Sequence, residues 1–238
     1  LPLILRLTVA ATLIEGATAH VFLSPAVGMP TGLAMLEGII GLLLLVGLAS
    51  VPAMLIAIAL FLFVLIQNGL VLGNLEFLGL AITWLMLGST KPSVDDLLGL
   101  PRTYAPERFA VFAPLVLRVS LGATLIFMAL YEKLLNPHVF ASVVERYHMS
   151  NLVPMTSASW TLSVGLTELL LGLCIALGLH TRLTAALSLF VMSLTFLYFG
   201  ESLSAHVTLF GSLAALFILG NGPHSLGKWY ARRFAKTS

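Results

Sequence analysis

"GLTELLLGLCIALGLHTR", residues 165–182, holds one carboxylate, Glu168, inside an apolar run that stops abruptly at His180-Thr181-Arg182. The apolar character begins near residue 158, which makes the run long enough for a membrane helix, since a hydrocarbon core of roughly 30 Å needs about 20 helical residues. A carboxylate at the centre of such a helix costs about 2.5–3.5 kcal/mol on insertion scales, and it normally faces the bundle interior or a wet cavity. With Trp160 at the outer interface, Glu168 lies eight residues in, about 12 Å at 1.5 Å per residue. That is too deep for easy snorkelling. "AMLEGIIGLLLLVGLASV", residues 34–51, repeats the problem with Glu37.

Composition extends this reading to the whole chain. Of 238 residues, 59% are hydrophobic and only 9% charged, and the mean hydropathy is +1.04. A soluble domain carries roughly 25% charged residues, so this chain cannot cover a globule with polar surface and is expected to be a polytopic membrane protein. The net charge of +2 is too small, and its basic residues too dispersed along segment ends, for a nucleic-acid partner. The lone Cys174 lies in an apolar run and offers neither an intrachain disulfide nor a redox pair.

Eight apolar stretches are expected to span: about 3–24, 31–49, 52–69, 71–88, 112–135, 158–179, 183–200 and 203–220. "ASVP" at 49–52 and "QNG" at 67–69 supply breaks where hydropathy alone shows none. The long polar connection, "STKPSVDDLLGLPRTYAPERFA" at 89–110, divides the chain into residues 1–88 and 111–238.

The two sides of that linker repeat each other. "LRLTVAATLI" at 5–14 matches "LRVSLGATLI" at 117–126, and "EGIIGLLLLVGL" at 37–48 matches "ELLLGLCIALGL" at 168–179. The second match has an offset of 131 residues, which also carries Gly41 to Gly172, Gly47 to Gly178 and Gly69 to Gly200. The expected fold is therefore an all-α integral membrane protein of eight transmembrane helices, arranged as two parallel four-helix repeats. Lys91, Arg102, Arg108, Arg182, Lys228, Arg232, Arg233 and Lys236 fall on the side shared by both termini. By the positive-inside rule both termini and the linker are expected on the cytoplasmic face.

On the outer side, Glu132-Lys133 and Arg146 gather opposite charges beside apolar helices. The second repeat can bring Lys133, Glu168, Glu132, Glu201, His206 and His148 toward one outward pocket, and the first offers Glu15, His20, Glu37 and Asn68. Acids, bases and hydrogen-bond donors within apolar walls are what a quinone or another polar-headed hydrophobe requires. The competing reading makes Glu37 and Glu168 repeated structural links between helices. The histidines lack metal-ligand spacing, so no metal or haem is expected. The segment "NPHVFASVVERYHMSNLVPMT", 136–156, places apolar residues at spacings of three and four, as a short interfacial helix roofing the pocket would.

The second half resembles the DoxX family of four-helix membrane proteins. The resemblance rests on "RVSLGATLIFMALYEKL" at 118–134, "GLTELLLGLCIALGLHTRLTAA" at 165–186 and "GNGPHSLGKW" at 220–229. Residues 5–99 resemble a degenerate second copy, in which Arg6, Glu37, Gly41 and Gly47 persist while Val21 stands in place of the lysine. The resemblance implies a subunit of a quinone-linked redox complex in a bacterial cytoplasmic (inner) membrane, with other protein subunits and membrane lipid as partners and Lys133 and Glu168 in the functional pocket. A non-catalytic anchor or assembly subunit is the alternative, and a small-solute transporter a weaker one.

Overall fold

The computed structural model of the protein describes residues 1–88, 91–99, 107–199 and 206–234. Helix α1 (Pro2–Ala19) leads through a hairpin, β1 (Val21–Phe22) and β2 (Ser24–Gly28), to α2 (Thr31–Val46) and α3 (Ser50–Gln67). A 3₁₀ turn, Gly69–Asn74, enters α4 (Leu75–Leu87), and the short helices α5 (Val94–Leu97) and α6 (Glu107–Ala110) follow. Helix α7 (Ala113–Met128) continues as a π-helical segment, Ala129–Leu135, into α8 (Pro137–Arg146) and a 3₁₀ turn at Met149–Asn151. The chain closes with α9 (Ser157–Leu177), α10 (Thr181–Phe199), α11 (Val207–Leu219) and α12 (Leu226–Phe234).

Among the described residues, six helices are long and apolar enough to cross a membrane: Pro2–Ala19, Ser50–Gln67, Gly69–Leu87, Arg108–Leu135, Ser157–Leu177 and Thr181–Phe199. Two further apolar helices, Thr31–Val46 and Val207–Leu219, are shorter. The first span stops five residues before the expected position 24. His20 turns left-handed at φ 54° and ends α1. The following apolar residues pair as a hairpin, with Val21 opposite Gly28, and the Met29 N–H donates to the His20 carbonyl at 2.8 Å. Strand pairing satisfies backbone groups that an open chain at that depth would leave without partners.

Packing joins each half internally and then crosses between them. Helix α1 lies along α2 and α7 along α9, while α4 packs on α7 and α11 on α1. Small residues permit the close crossings: a Cβ on Gly122 would sit 2.7 Å from the Gly172 carbonyl oxygen, so α7 and α9 meet nearly backbone to backbone. In the first half the core is aromatic, with Phe22, Phe61 and Phe77 at ring separations of 5.8–6.3 Å.

One joint occurs in both halves. Arg6 Nη2 donates to the Pro92 carbonyl and Arg118 Nη2 to the His224 carbonyl, both at 2.7 Å. Each guanidinium lies against the glycine that ends the neighbouring helix, Gly47 at φ 74° or Gly178 at φ 72°. A Cβ there would run into the arginine, and the positive φ itself favours glycine. Ser93 and Ser225 cap the next helix in each half, accepting from the backbone N–H of Asp96 and of Lys228 at 3.2 Å. The first helix of each half thereby ties the end of the second to the segment beyond the fourth.

Substituting Gly122→Ala is expected to cost about 1–3 kcal/mol by overpacking the α7–α9 crossing. Gly32→Ala, where an added Cβ meets nothing within 4 Å, is the matched control. Thermal unfolding in mild detergent should show a lowered midpoint for the first variant and an unchanged one for the second.

Candidate functional site

Lys133 owes its position to the π-helical segment Ala129–Leu135, which continues α7 and turns the lysine toward α9. Such single π turns recur at functional sites because they re-aim one side chain without ending the helix. Gly165 on α9 makes room for it: a Cβ there would stand 3.0 Å from Lys133 Cβ. One turn further along, Glu168 Oε2 meets Lys133 Nζ at 2.7 Å, with both side chains at most 7% exposed. Glu132 Oε2 lies 3.7 Å from the same Nζ and is 44% exposed.

Helix α8 roofs the pair. Phe140 presents its ring 5.3 Å from Lys133 Nζ, an arrangement worth about 0.5–2 kcal/mol as a cation–π contact. Val144 is buried beneath α8, and Ser157 at the start of α9 donates to Glu145 Oε1 at 3.2 Å. Val139, on the same helix, is exposed. The roof is thus held to α9 through Glu145 and sets the Phe140 ring over Lys133.

Beside this pair lies a cavity of about 430 Å³ bordered by the β hairpin and the ends of α4, α7 and α11. Its lining includes a buried acid, Glu76, in the first turn of α4 and 2% exposed. Thr124 Oγ1 of α7 donates to Glu76 Oε2 at 2.6 Å, and Thr208 Oγ1 of α11 donates to Oε1 at 2.8 Å. The Glu76 N–H in turn donates to Thr124 Oγ1 at 3.0 Å, so one carboxylate links three helices across both halves. Two of the cavity's walls are the stacked rings of Phe127 and Tyr131, 5.3 Å apart. Glu132 belongs to both places, since it borders the cavity and neighbours Lys133.

Of the residues expected from sequence, Lys133, Glu168 and Glu132 come together, and His206 joins Glu132 on the cavity lining. His148 lies instead at a left-handed turn, φ 51°, that starts the 3₁₀ segment after α8. Glu37 is fully buried in the first half, where neither carboxylate oxygen has a hydrogen-bond partner among the described residues. It packs against Gly16, where an added Cβ would meet the carboxylate. Asn68 caps the 3₁₀ turn by accepting from Leu70 N–H at 3.0 Å, and Glu201 lies outside the described residues. Among the described residues no group of three or more His, Cys, Asp or Glu is placed to hold a metal ion.

Sequence reasoning did not single out Glu76. The signal was available in "GNLEFLGL" at 73–80, one acid near the start of an apolar run. It was masked because the second half has no acid at the corresponding place, Val207-Thr208, so no repeat drew attention to it.

Residues 113–201 match the DoxX family model. No curated protein and no solved structure matches the chain.

Lys133→Met should leave the Glu168 carboxylate buried without its partner and cost about 3–5 kcal/mol, the usual consequence of breaking a buried ion pair from one side. The double substitution Lys133→Met, Glu168→Met removes both charges and should recover most of that loss. Denaturant unfolding of the three proteins in detergent measures both effects.

Proposed function

From the DoxX domain at residues 113–201, we propose that this multi-pass membrane protein is a subunit of a redox complex and holds quinone at the outer end of its helix bundle. The observation that carries this reading is the position of Glu132. Its carboxylate borders an amphipathic cavity on one side and stands 3.7 Å from Lys133 on the other, where Lys133 pairs with Glu168.

The cavity suits such a ligand in size and lining. Its volume of about 430 Å³ falls within the roughly 300–1,000 Å³ of small-molecule sites. Phe127 and Tyr131 offer a flat wall for a ring, Met128 and Leu209 offer aliphatic contact, and Asn74, Tyr131 and His206 put hydrogen-bonding side chains on the lining. Bound quinone would supply two-electron, two-proton redox chemistry, with the electrons coming from a partner subunit. The chain's own part is to orient the ring and exchange protons. Glu132 does so at the cavity edge, and Lys133, between two carboxylates, connects that edge to Glu168. Phe140 covers the lysine of the pair.

The same proposal takes all eight apolar helices as spans, in two parallel four-helix halves of common ancestry. The recurring arginine–glycine–serine joint supports it. The joints lie at the end of the bundle that also carries Lys91, Arg182 and Lys228. That end is assigned to the cytoplasm, and the protein to a bacterial inner membrane. A second reading, a non-catalytic anchor, is favoured by α10. Leu183, Leu187, Phe190, Leu194 and Leu197 form an exposed stripe at alternating spacings of four and three, the pattern by which one helix seats against another.

Purification in mild detergent followed by lipid extraction tests the proposal. Wild-type protein should retain close to one quinone per chain, and Met128→Trp, which fills the cavity from a half-buried position, should reduce retention about tenfold without lowering the unfolding midpoint. Retention of partner proteins with no quinone would establish the anchor reading instead.

A further inference from the structure

At the end of the bundle away from the quinone cavity, the two arginine joints have the same architecture and opposite charge balance. Arg6 lines a cavity of about 560 Å³ together with Ser93 and Asp96. Asp95 and Asp96 act on it electrostatically. Asp95 also accepts from the backbone N–H groups of Ala49 and Ser50, at 2.7 and 3.0 Å. The Arg6 cation therefore has its counter-charge within the chain.

Arg118 does not. It is 1% exposed and lines a cavity of about 520 Å³ with His224, Ser225, Leu226 and Trp229, and none of the lining residues is acidic. Its Nη2 donates to the His224 carbonyl, while Nε and Nη1 are buried without hydrogen-bond partners among the described residues. Aligning the two capping serines, Ser93 with Ser225, puts Gly227 where the first half has Asp95 and Lys228 where it has Asp96. The second half has lost both acids and gained a base. Asn221 takes over the backbone capping, accepting from Thr181 N–H at 2.9 Å, but brings no charge.

An ion held in this way costs several kcal/mol unless an opposite charge completes it. Guanidinium N–H groups donate charge-assisted hydrogen bonds to phosphate, and the Nε and Nη1 donors of Arg118 have no hydrogen-bond partner among the described residues. The source of the anion is indicated by α12, which borders the cavity. Leu226, Trp229 and Tyr230 are exposed on it beside Lys228, and Arg233 lies 5.3 Å over the Trp229 ring. Aromatic and basic residues on one short helix mark a segment lying in the headgroup layer. We propose that the Arg118 cavity binds the phosphate of an anionic phospholipid, and that this lipid replaces the two aspartates by which the first half neutralises Arg6.

The full chain, purified in mild detergent and stripped of lipid, is titrated with phosphatidylglycerol, with phosphatidylcholine and with inorganic phosphate. Thermal unfolding and native mass spectrometry follow each titration. Phosphatidylglycerol should raise the unfolding midpoint and bind with a preference of about tenfold over phosphatidylcholine, the equivalent of one charge-assisted contact. Inorganic phosphate should give no comparable shift. Arg118→Ala risks the joint itself, so the decisive variant is Lys228→Asp, an exposed position that restores the acid of the first half. It should keep the fold, raise the lipid-free midpoint and abolish the preference for phosphatidylglycerol. Equal response to the two lipids, or an undiminished preference in Lys228→Asp, overturns the proposal. An equal shift with inorganic phosphate overturns the lipid as the source.

Discussion

Inside an apolar helix bundle a charge is tolerated only when something opposite or strongly hydrogen-bonding stands within a few ångströms, and this requirement organises the protein. Lys133 and Glu168 satisfy it by direct pairing at 2.7 Å. Glu76 satisfies it through two threonine hydroxyls from different helices. Arg6 has two aspartates in its field. The pairings therefore double as fastenings: the first holds α7 to α9, the second joins α4, α7 and α11, and the third fixes the segment beyond α4 to the end of α2. Glu37 has no such partner among the described residues, and Arg118 has the His224 carbonyl but no acid on its cavity lining; the inference about lipid follows from that asymmetry for Arg118.

The two halves use a common frame for different ends. Both have the arginine joint and the glycine-mediated crossing of their first two helices. They diverge at the opposite end, where the first half makes a tight hairpin and the second makes a π turn followed by the α8 roof. Val21 against Lys133 is the chemical counterpart of that divergence. In the first half the buried acid faces a hairpin and no lysine. In the second it meets a cation under an aromatic cover, at the edge of the cavity that the proposed quinone site occupies.

Much of this was legible in the sequence because deep charges in apolar runs are rare and conspicuous. Glu168 and Glu37 announced themselves in that way, Lys133 stood out through the charges gathered at the outer end of its span, and the residues 136–156 showed the helical spacing of α8. Other features gave no comparable signal. The end of α1 at Ala19 was hidden because Val21 to Leu23 continue the apolar run while the backbone changes from helix to strand. Glu76 was hidden because its partners are threonines 48 and 132 residues away, and nothing in a linear reading marks a threonine as a donor to a distant carboxylate. The charge imbalance at Arg118 emerged only once the two joints could be aligned in space through Ser93 and Ser225.

The most direct measurement is covalent mapping with a photoreactive short-chain quinone on the full chain in its native membrane, followed by peptide sequencing. Labelling should concentrate on the cavity wall at Phe127–Glu132 and on Thr208–Leu209, and excess unlabelled quinone should suppress it. Labelling spread along the exposed face of α10, or unaffected by competing quinone, would contradict a specific quinone site beside the Lys133–Glu168 pair.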